Sequence, residues 1–234
     1  MKETVVGLIK LIACILMLMY AETHYFAFLS HIGIDANNLT PLVRELFVLG
    51  LYALMMFIVY LMYQHHIKKD LSSYKRRLFP NALMTVAYFA VLTILMWVVS
   101  YITGTVAESM DITYRGISFY SIFNQEFDFI LLSFIIRRII LMPFMLAAVY
   151  VLGVYDLVNS KSSAIFLAGL LAAGITAIGM SGNVLTIFFN VIPYFAIFFA
   201  LSYIYHKNHY NIWFSGVTFI LYSMFASLLI ERIT

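Results

Sequence analysis

The sequence has few charged residues and a single cysteine. Asp, Glu, Lys and Arg make up 11% of the 234 residues, against about 25% in soluble globular domains. No stretch is polar enough to fold as a separate soluble domain. Because Cys14 has no second cysteine, an intrachain disulfide and a thiolate metal cluster are excluded. The apolar content of 64% far exceeds the roughly 45–50% of soluble domains, which indicates an integral membrane protein.

Residues that carry common catalytic chemistry are also missing. None of the six histidines lies near the middle of an apolar run, and there is no G-x-S-x-G serine and no Gly-rich phosphate loop. An intramembrane metallohydrolase needs histidines or carboxylates at membrane depth to hold its ion. We therefore expect no metal and no cofactor. The basic segment beside the second apolar run favours contact with anionic lipid, and not with nucleic acid.

Apolar runs long enough to cross a hydrocarbon core of about 30 Å recur along the chain. They lie at roughly 5–28, 42–63, 82–103, 128–153, 163–180, 184–205 and 212–230. The pattern predicts an all-α, polytopic transmembrane helix bundle of about seven spans, with eight as the alternative, in a single transmembrane domain, 1–234. Tyr20, Glu22 and His24 stand where a signal peptide would have its cleavage site, so we expect the first span to be retained.

Basic residues are concentrated in the polar segment after the second span. They are Lys68, Lys69, Lys75, Arg76 and Arg77. By the positive-inside rule, loop 64–80 is predicted to be cytoplasmic in a multi-pass membrane protein. The loop before the fourth span is mostly acidic, as expected outside. Alternation places the amino terminus inside and the carboxyl terminus outside, and one span more or fewer would reverse the latter.

Two adjacent arginines, Arg137 and Arg138, lie within the apolar run 127–155. An arginine at the centre of a membrane helix costs about 2.5–3.5 kcal/mol on insertion scales, so it usually has a buried partner or a function. Asp128, Glu126 and Glu45 are the candidate counter-ions.

Adjacent helical residues point about 100° apart, so the two arginines are not expected to serve one site. The structural interpretation has one arginine bonded to backbone carbonyls at a kink near Pro143. The functional alternative is that Arg137 and Arg138 bind an anionic or polyprenyl lipid.

Small residues recur at four-residue spacing in the fifth span. They are Ala164, Ala168 and Ala172, and beside them Gly169, Ala173 and Ala177. Such faces let membrane helices approach closely, so they predict tight packing of this helix.

Three segments in the second half carry a recognisable pattern: SFIIRR (133–138), SSAIFLAGL (162–170) and YIYHKNHYNIWFSGVTFILYS (203–223). In them, residues 125–230 resemble the core of the CPBP family, the CAAX-protease and bacteriocin-processing intramembrane proteins, and residues 1–124 supply the N-terminal spans. The family's motifs are Glu-Glu-x-x-x-Arg, Phe-x-x-x-His and His-x-x-x-Asn. Here Ser133, Phe134 and Arg138 occupy the first motif, Phe166 and Leu170 the second, and Phe219 and Ser223 the third.

This resemblance implies a pseudoenzyme, because the family's glutamate and histidine positions hold Ser133, Phe134, Leu170 and Phe219. None of these side chains can activate water near neutral pH or bind a metal. The chain is most similar in style to the non-catalytic staphylococcal SpdC (LyrA) type of the family, from Gram-positive bacteria. That type implies a scaffold for surface-protein display in a bacterial plasma membrane, with a membrane-anchored peptidoglycan glucosaminidase as its partner.

Two other functions remain open. One is a lipid-handling or transport protein that binds a lipid at Arg137 and Arg138. The other is an atypical intramembrane protease that draws its acid–base groups from His206 or Glu126.

Overall fold

The computed structural model describes residues 2–35, 38–117, 128–158 and 160–229, and every regular element within these ranges is helical. The predicted all-α bundle is therefore confirmed. In chain order the helices are α1 (Lys2–His31), α2 (Pro41–Arg76), α3 (Leu78–Ser109), α4 (Phe129–Tyr155), α5 (Lys161–Ile178), α6 (Val184–Lys207) and α7 (Ile212–Leu229).

Six of these helices, α1 to α6, are long and apolar enough to cross a membrane. The seventh is also apolar, but its stretch Ile212–Leu228 is shorter than the other six. The bundle is compatible with a multi-pass membrane protein, since a helix satisfies its own backbone groups inside lipid.

Segment 64–80, expected to be a polar loop, is helical instead. The α2 helix continues to Arg76, α3 starts at Leu78, and only Tyr63 has non-helical angles within α2 (φ −118°, ψ 19°). Ile67, Asp70 and Tyr74 are buried on one face of this extension. Their spacing of three and four residues is that of a helix packed on one side.

The α2 extension holds the start of α7. Asp70 accepts a hydrogen bond from the backbone N–H of Ile212 at 3.0 Å, and Asn211 donates to the backbone carbonyl of Asp70 at 3.0 Å. The indole of Trp213 donates to the carbonyl of Ile67 at 3.1 Å. The Asp70 carboxylate thereby satisfies a buried N–H at the start of α7, which has no partner within its own helix.

Two π-helical turns interrupt α4, at Ile135–Leu141 and Ala148–Leu152. Pro143, where the sequence predicts a kink, follows the first of them and lacks the N–H that an α-helix needs there. A π turn holds one residue more than an α turn and is frequent at functional sites. The arginine pair lies within the first π turn.

The small residues of α5 pack tightly, as predicted, against the end of α4 and against α6. Ala164, Ala168 and Ala172 are almost fully buried. A Cβ added to Gly169 would lie 2.8 Å from the backbone oxygen of Phe195. The two helices therefore touch through their backbones, which is the contact that small residues allow.

Candidate functional site

A cluster of two arginines and two glutamates joins α1, α2 and α4. Arg138 Nη2 lies 2.7 Å from Glu22 Oε2, and Arg137 Nη1 lies 3.5 Å from Glu22 Oε1. The other end of the Arg137 guanidinium reaches Glu45, with Nη2 at 3.1 Å from Oε2 and 3.2 Å from Oε1. The two positive and two negative formal charges cancel within the cluster.

Neighbouring side chains complete the hydrogen bonding of the carboxylates. The Tyr52 hydroxyl donates to Glu22 at 2.7 Å, and the Ser133 hydroxyl donates to Glu45 at 3.3 Å. The Arg138 guanidinium also lies 5.7 Å from the centre of the Tyr52 ring, within cation–π range. Glu22 is thereby held by donors from α2 and α4, and Glu45 by two donors from α4.

The cluster occupies the half of the bundle where α2 and α4 begin. At about 1.5 Å per residue, Glu45 lies about 6 Å into α2 and Arg137 about 12 Å into α4. The Arg137 side chain is 12% exposed, whereas those of Arg138 and Glu22 are 30% and 35% exposed. Arg137 is thus an interior group, and Arg138 lies at the edge of an open space.

That space is a cavity of about 300 Å³ between α4, α5, α6 and α7. Most of its lining side chains are apolar, and four of the positions singled out by the family resemblance border it. These four are Phe134, Arg138, Phe219 and Ser223. The structure therefore brings the first and third motifs together in one place.

The remaining motif positions lie elsewhere. Ser133 is fully buried and bonded to Glu45, away from the cavity lining. On α5, Phe166 and Leu170 are 51% and 49% exposed and face outward. The α5 wall of the cavity is supplied by Thr176, further along the helix.

The prediction that both arginines would not serve one site is wrong. Glu22 offers one carboxylate oxygen to each guanidinium, so two side chains that diverge at the backbone meet the same group. The π turn alters the local spacing of α4 at these residues. The expected bonds to backbone carbonyls are replaced by carboxylate contacts.

The counter-ion predictions have mixed outcomes. Glu45 is confirmed as a partner of Arg137. Asp128 instead caps the start of α4, where it accepts from the backbone N–H of Leu131 at 2.7 Å. Glu126 lies outside the described residues.

Sequence reasoning missed Glu22 and Tyr52. In the sequence, Glu22 bears on the absence of a signal-peptide cleavage site. The sequence also contains a signal for Glu22. This residue lies six residues inside the predicted end of the first span, and a carboxylate at such a depth needs a cation nearby. Tyr52 gives no comparable signal, because tyrosines are common in membrane helices.

His206, a candidate acid–base group, lies apart from this site. Within the part of the chain that the structure describes, no group of three or more His, Cys, Asp or Glu side chains could hold a metal ion. His206 is buried near the end of α6 against the rings of Tyr155, Tyr205 and Tyr210. It lies about 12 Å along α6 from the cavity residue Phe198.

No family model, no curated protein and no solved structure matches the chain.

Proposed function

We propose that the protein is a non-catalytic membrane scaffold with a CPBP-like core, which binds and positions a membrane-anchored partner. One observation carries this proposal. The four motif positions that share the cavity are Phe134, Arg138, Phe219 and Ser223, and none of them supplies a general base. Arginine stays protonated, and neither a benzyl group nor an unassisted hydroxyl takes a proton from water near neutral pH.

The carboxylate bonded to Arg138 is already occupied by other donors. Glu22 accepts hydrogen bonds from Arg137, Arg138 and Tyr52. A base must offer a lone pair to the water that it activates, and here the positioned donors compete for those lone pairs. This arrangement supports a bracing role for Glu22 over a catalytic one.

The cluster is well placed to brace the bundle. Glu22 belongs to α1, Glu45 to α2 and the arginines to α4, so one charge network fixes three helices relative to one another. A protein that works by presenting a surface needs fixed helix positions. The charge network supplies them inside lipid, where apolar burial between helices contributes little.

The nature of the partner follows from the family resemblance alone. It is a membrane-anchored peptidoglycan hydrolase, a glucosaminidase, in a Gram-positive plasma membrane. In this proposal the basic end of α2, within 64–80, faces the cytoplasm, and the charge cluster lies toward the cell wall.

The proposed contact for the partner's membrane anchor is the outer face of α3, that is, the side of the helix turned away from the bundle. Of the six spans, α3 has the smallest buried share. Its buried face contains Leu92 and Met96, while Trp97 and Tyr101 are about two-thirds exposed and stack on each other. Large aromatic side chains of this kind dominate the energy of many protein contacts.

Affinity purification at native expression level, in mild detergent, tests the scaffold proposal. We expect mass spectrometry to find a membrane-anchored cell-wall hydrolase in constant ratio to the chain. The double substitution Trp97→Leu with Tyr101→Leu should remove that hydrolase. Phe188→Leu, an exposed aromatic residue on α6, is the matched control and should retain it. A chain that purifies without any such hydrolase contradicts the proposal.

A second candidate function is lipid handling, because Arg138 borders an apolar cavity at membrane depth. The geometry gives this role to Arg138 and not to Arg137, whose guanidinium is held between two glutamates. Lipid extraction from the purified chain tests it. A specific lipid that is retained by the native chain and lost from the folded Arg138→Leu variant is the expected result for this function.

A further inference from the structure

The cavity beside Arg138 combines a charged edge with an apolar interior. Its walls include Met142, Leu146 and Ile197, together with the motif residues Phe134 and Phe219. At about 300 Å³ it is about twice the size of an engineered apolar cavity of roughly 150 Å³ that takes up benzene. The lining is therefore suited to a hydrocarbon chain and not to a strongly hydrated solute.

The charge at the edge of the cavity is already neutralised. Arg138 is bonded to Glu22 at 2.7 Å, and Glu22 also contacts Arg137, which in turn contacts Glu45. An anionic headgroup that approaches Arg138 is also repelled by the negative charge of Glu22, which lies 2.7 Å from Nη2. Like charges repel strongly where water is scarce, so the cluster offers an anion little net attraction.

A neutral acceptor meets no such opposition. Within the described residues, Arg138 donates its hydrogen bond to Glu22 through Nη2. A guanidinium has five N–H donors, so the Nε and Nη1 side can donate to another oxygen while the ion pair stays intact. An alcohol or ester oxygen can accept such a bond without adding charge.

We propose that this cavity binds an uncharged, single-chain amphiphile, with the hydrocarbon chain among Phe134, Leu146 and Phe219 and an alcohol or ester oxygen at Arg138. This inference rests on the second proposed function, lipid handling, and narrows its ligand to a neutral class. It is independent of the scaffold proposal, which uses the outer face of α3.

Photolabelling of the full chain in phosphatidylcholine nanodiscs tests the inference. The probes are decanol and decyl phosphate, each carrying the same diazirine in the chain. We expect saturable labelling of the peptides that contain Phe134, Leu146 and Phe219. Decanol should label them at least about tenfold more than decyl phosphate, because only the phosphate meets the Glu22 charge.

Two variants and one control make the result specific. Ser223→Leu adds bulk to the cavity wall and should abolish labelling by decanol. Gly174→Leu adds the same side chain on α5, where a Cβ meets no atom within 4 Å, and should leave labelling unchanged. Glu22→Gln removes one negative charge and should raise labelling by decyl phosphate toward that by decanol, provided that the variant folds.

The possible outcomes distinguish failure of the neutral-ligand inference from failure of the lipid-handling function. If decyl phosphate labels the cavity more strongly than decanol, the inference fails and lipid handling survives with an anionic ligand. If neither probe labels the cavity peptides, or if Ser223→Leu leaves all labelling unchanged, both fail. Selective labelling by decanol that Ser223→Leu abolishes supports both.

Discussion

Arg138 Nη2 lies 2.7 Å from Glu22 Oε2, although 116 residues of chain separate the two. The contact connects the first transmembrane helix to the fourth. It belongs to a charge-balanced cluster in which Arg137 links Glu22 to Glu45. The helices that carry these residues are therefore positioned by charge as well as by packing.

The two arginines should differ in their importance for stability. Arg137→Leu leaves Glu45 without its cation in a largely buried place, and removing one partner of a buried pair costs about 3–5 kcal/mol. Arg138→Leu should cost clearly less, because Arg138 is more exposed and Glu22 keeps its contact with Arg137. Thermal unfolding of both variants in the same detergent measures the difference.

The exposed Lys75→Leu variant is the control for loss of one positive charge, and its unfolding temperature should stay near that of the native chain. Equal destabilisation by Arg137→Leu and Arg138→Leu would show that Arg137 is not the central member of the cluster.

The close contact between α5 and α6 should be sensitive to one methyl group. In Gly169→Ala the new Cβ meets the backbone oxygen of Phe195 at 2.8 Å, and a backbone atom cannot rotate away. Forced shifts of this kind cost about 1–3 kcal/mol. Gly174→Ala on the same helix meets no atom within 4 Å, so it should be neutral or should stabilise α5 by up to about 1 kcal/mol. Unfolding curves of the two variants measure this difference. Similar losses of stability in both would refute the packing described for Gly169.

The start of α7 should depend on the Asp70 carboxylate. Asp70→Ala leaves the buried N–H of Ile212 without its acceptor. Loss of a helix cap costs about 0.5–2 kcal/mol. Hydrogen exchange should therefore accelerate at the first turn of α7, while the middle of α6 stays protected. Ser72→Ala, at an exposed position on the same α2 extension, should change neither region. Unchanged hydrogen exchange at the first turn of α7 in Asp70→Ala would show that this carboxylate does not stabilise the start of α7.

The helical bundle could be read from the sequence because lipid restricts the choice of structure. Apolar runs of sufficient length form helices there, and the predicted positions agree with α1 to α7 within a few residues over most of the chain. The 64–80 segment was the exception. Its polar residues suggested a loop, but Ile67, Asp70 and Tyr74 lie on one buried face, a periodicity that composition alone conceals.

The charge cluster could be predicted only in part. The sequence identified Arg137, Arg138 and one correct counter-ion, Glu45. It could not identify Glu22, because pairing across 115 residues depends on which helices are neighbours. The angle of 100° between adjacent helical residues also led to the wrong prediction that the two arginines serve different sites. That angle describes the directions in which side chains leave the backbone, whereas the guanidinium groups at the ends of long side chains can converge.

The most direct test of the scaffold account is replacement of the Arg138–Glu22 pair by two leucines. Glu22→Leu with Arg138→Leu removes one positive and one negative charge and leaves Arg137 paired with Glu45. Replacing a whole buried ion pair by apolar side chains is often neutral for stability. The variant is purified at native expression level, its fold is checked by thermal unfolding, and its co-purifying hydrolase is quantified by mass spectrometry. We expect a folded variant that retains the hydrolase in the native ratio, because the two leucines can replace the bracing contact by packing and the proposed partner contact lies on α3. A folded variant that loses the hydrolase, or that abolishes a peptide cleavage seen with the native chain, would contradict it.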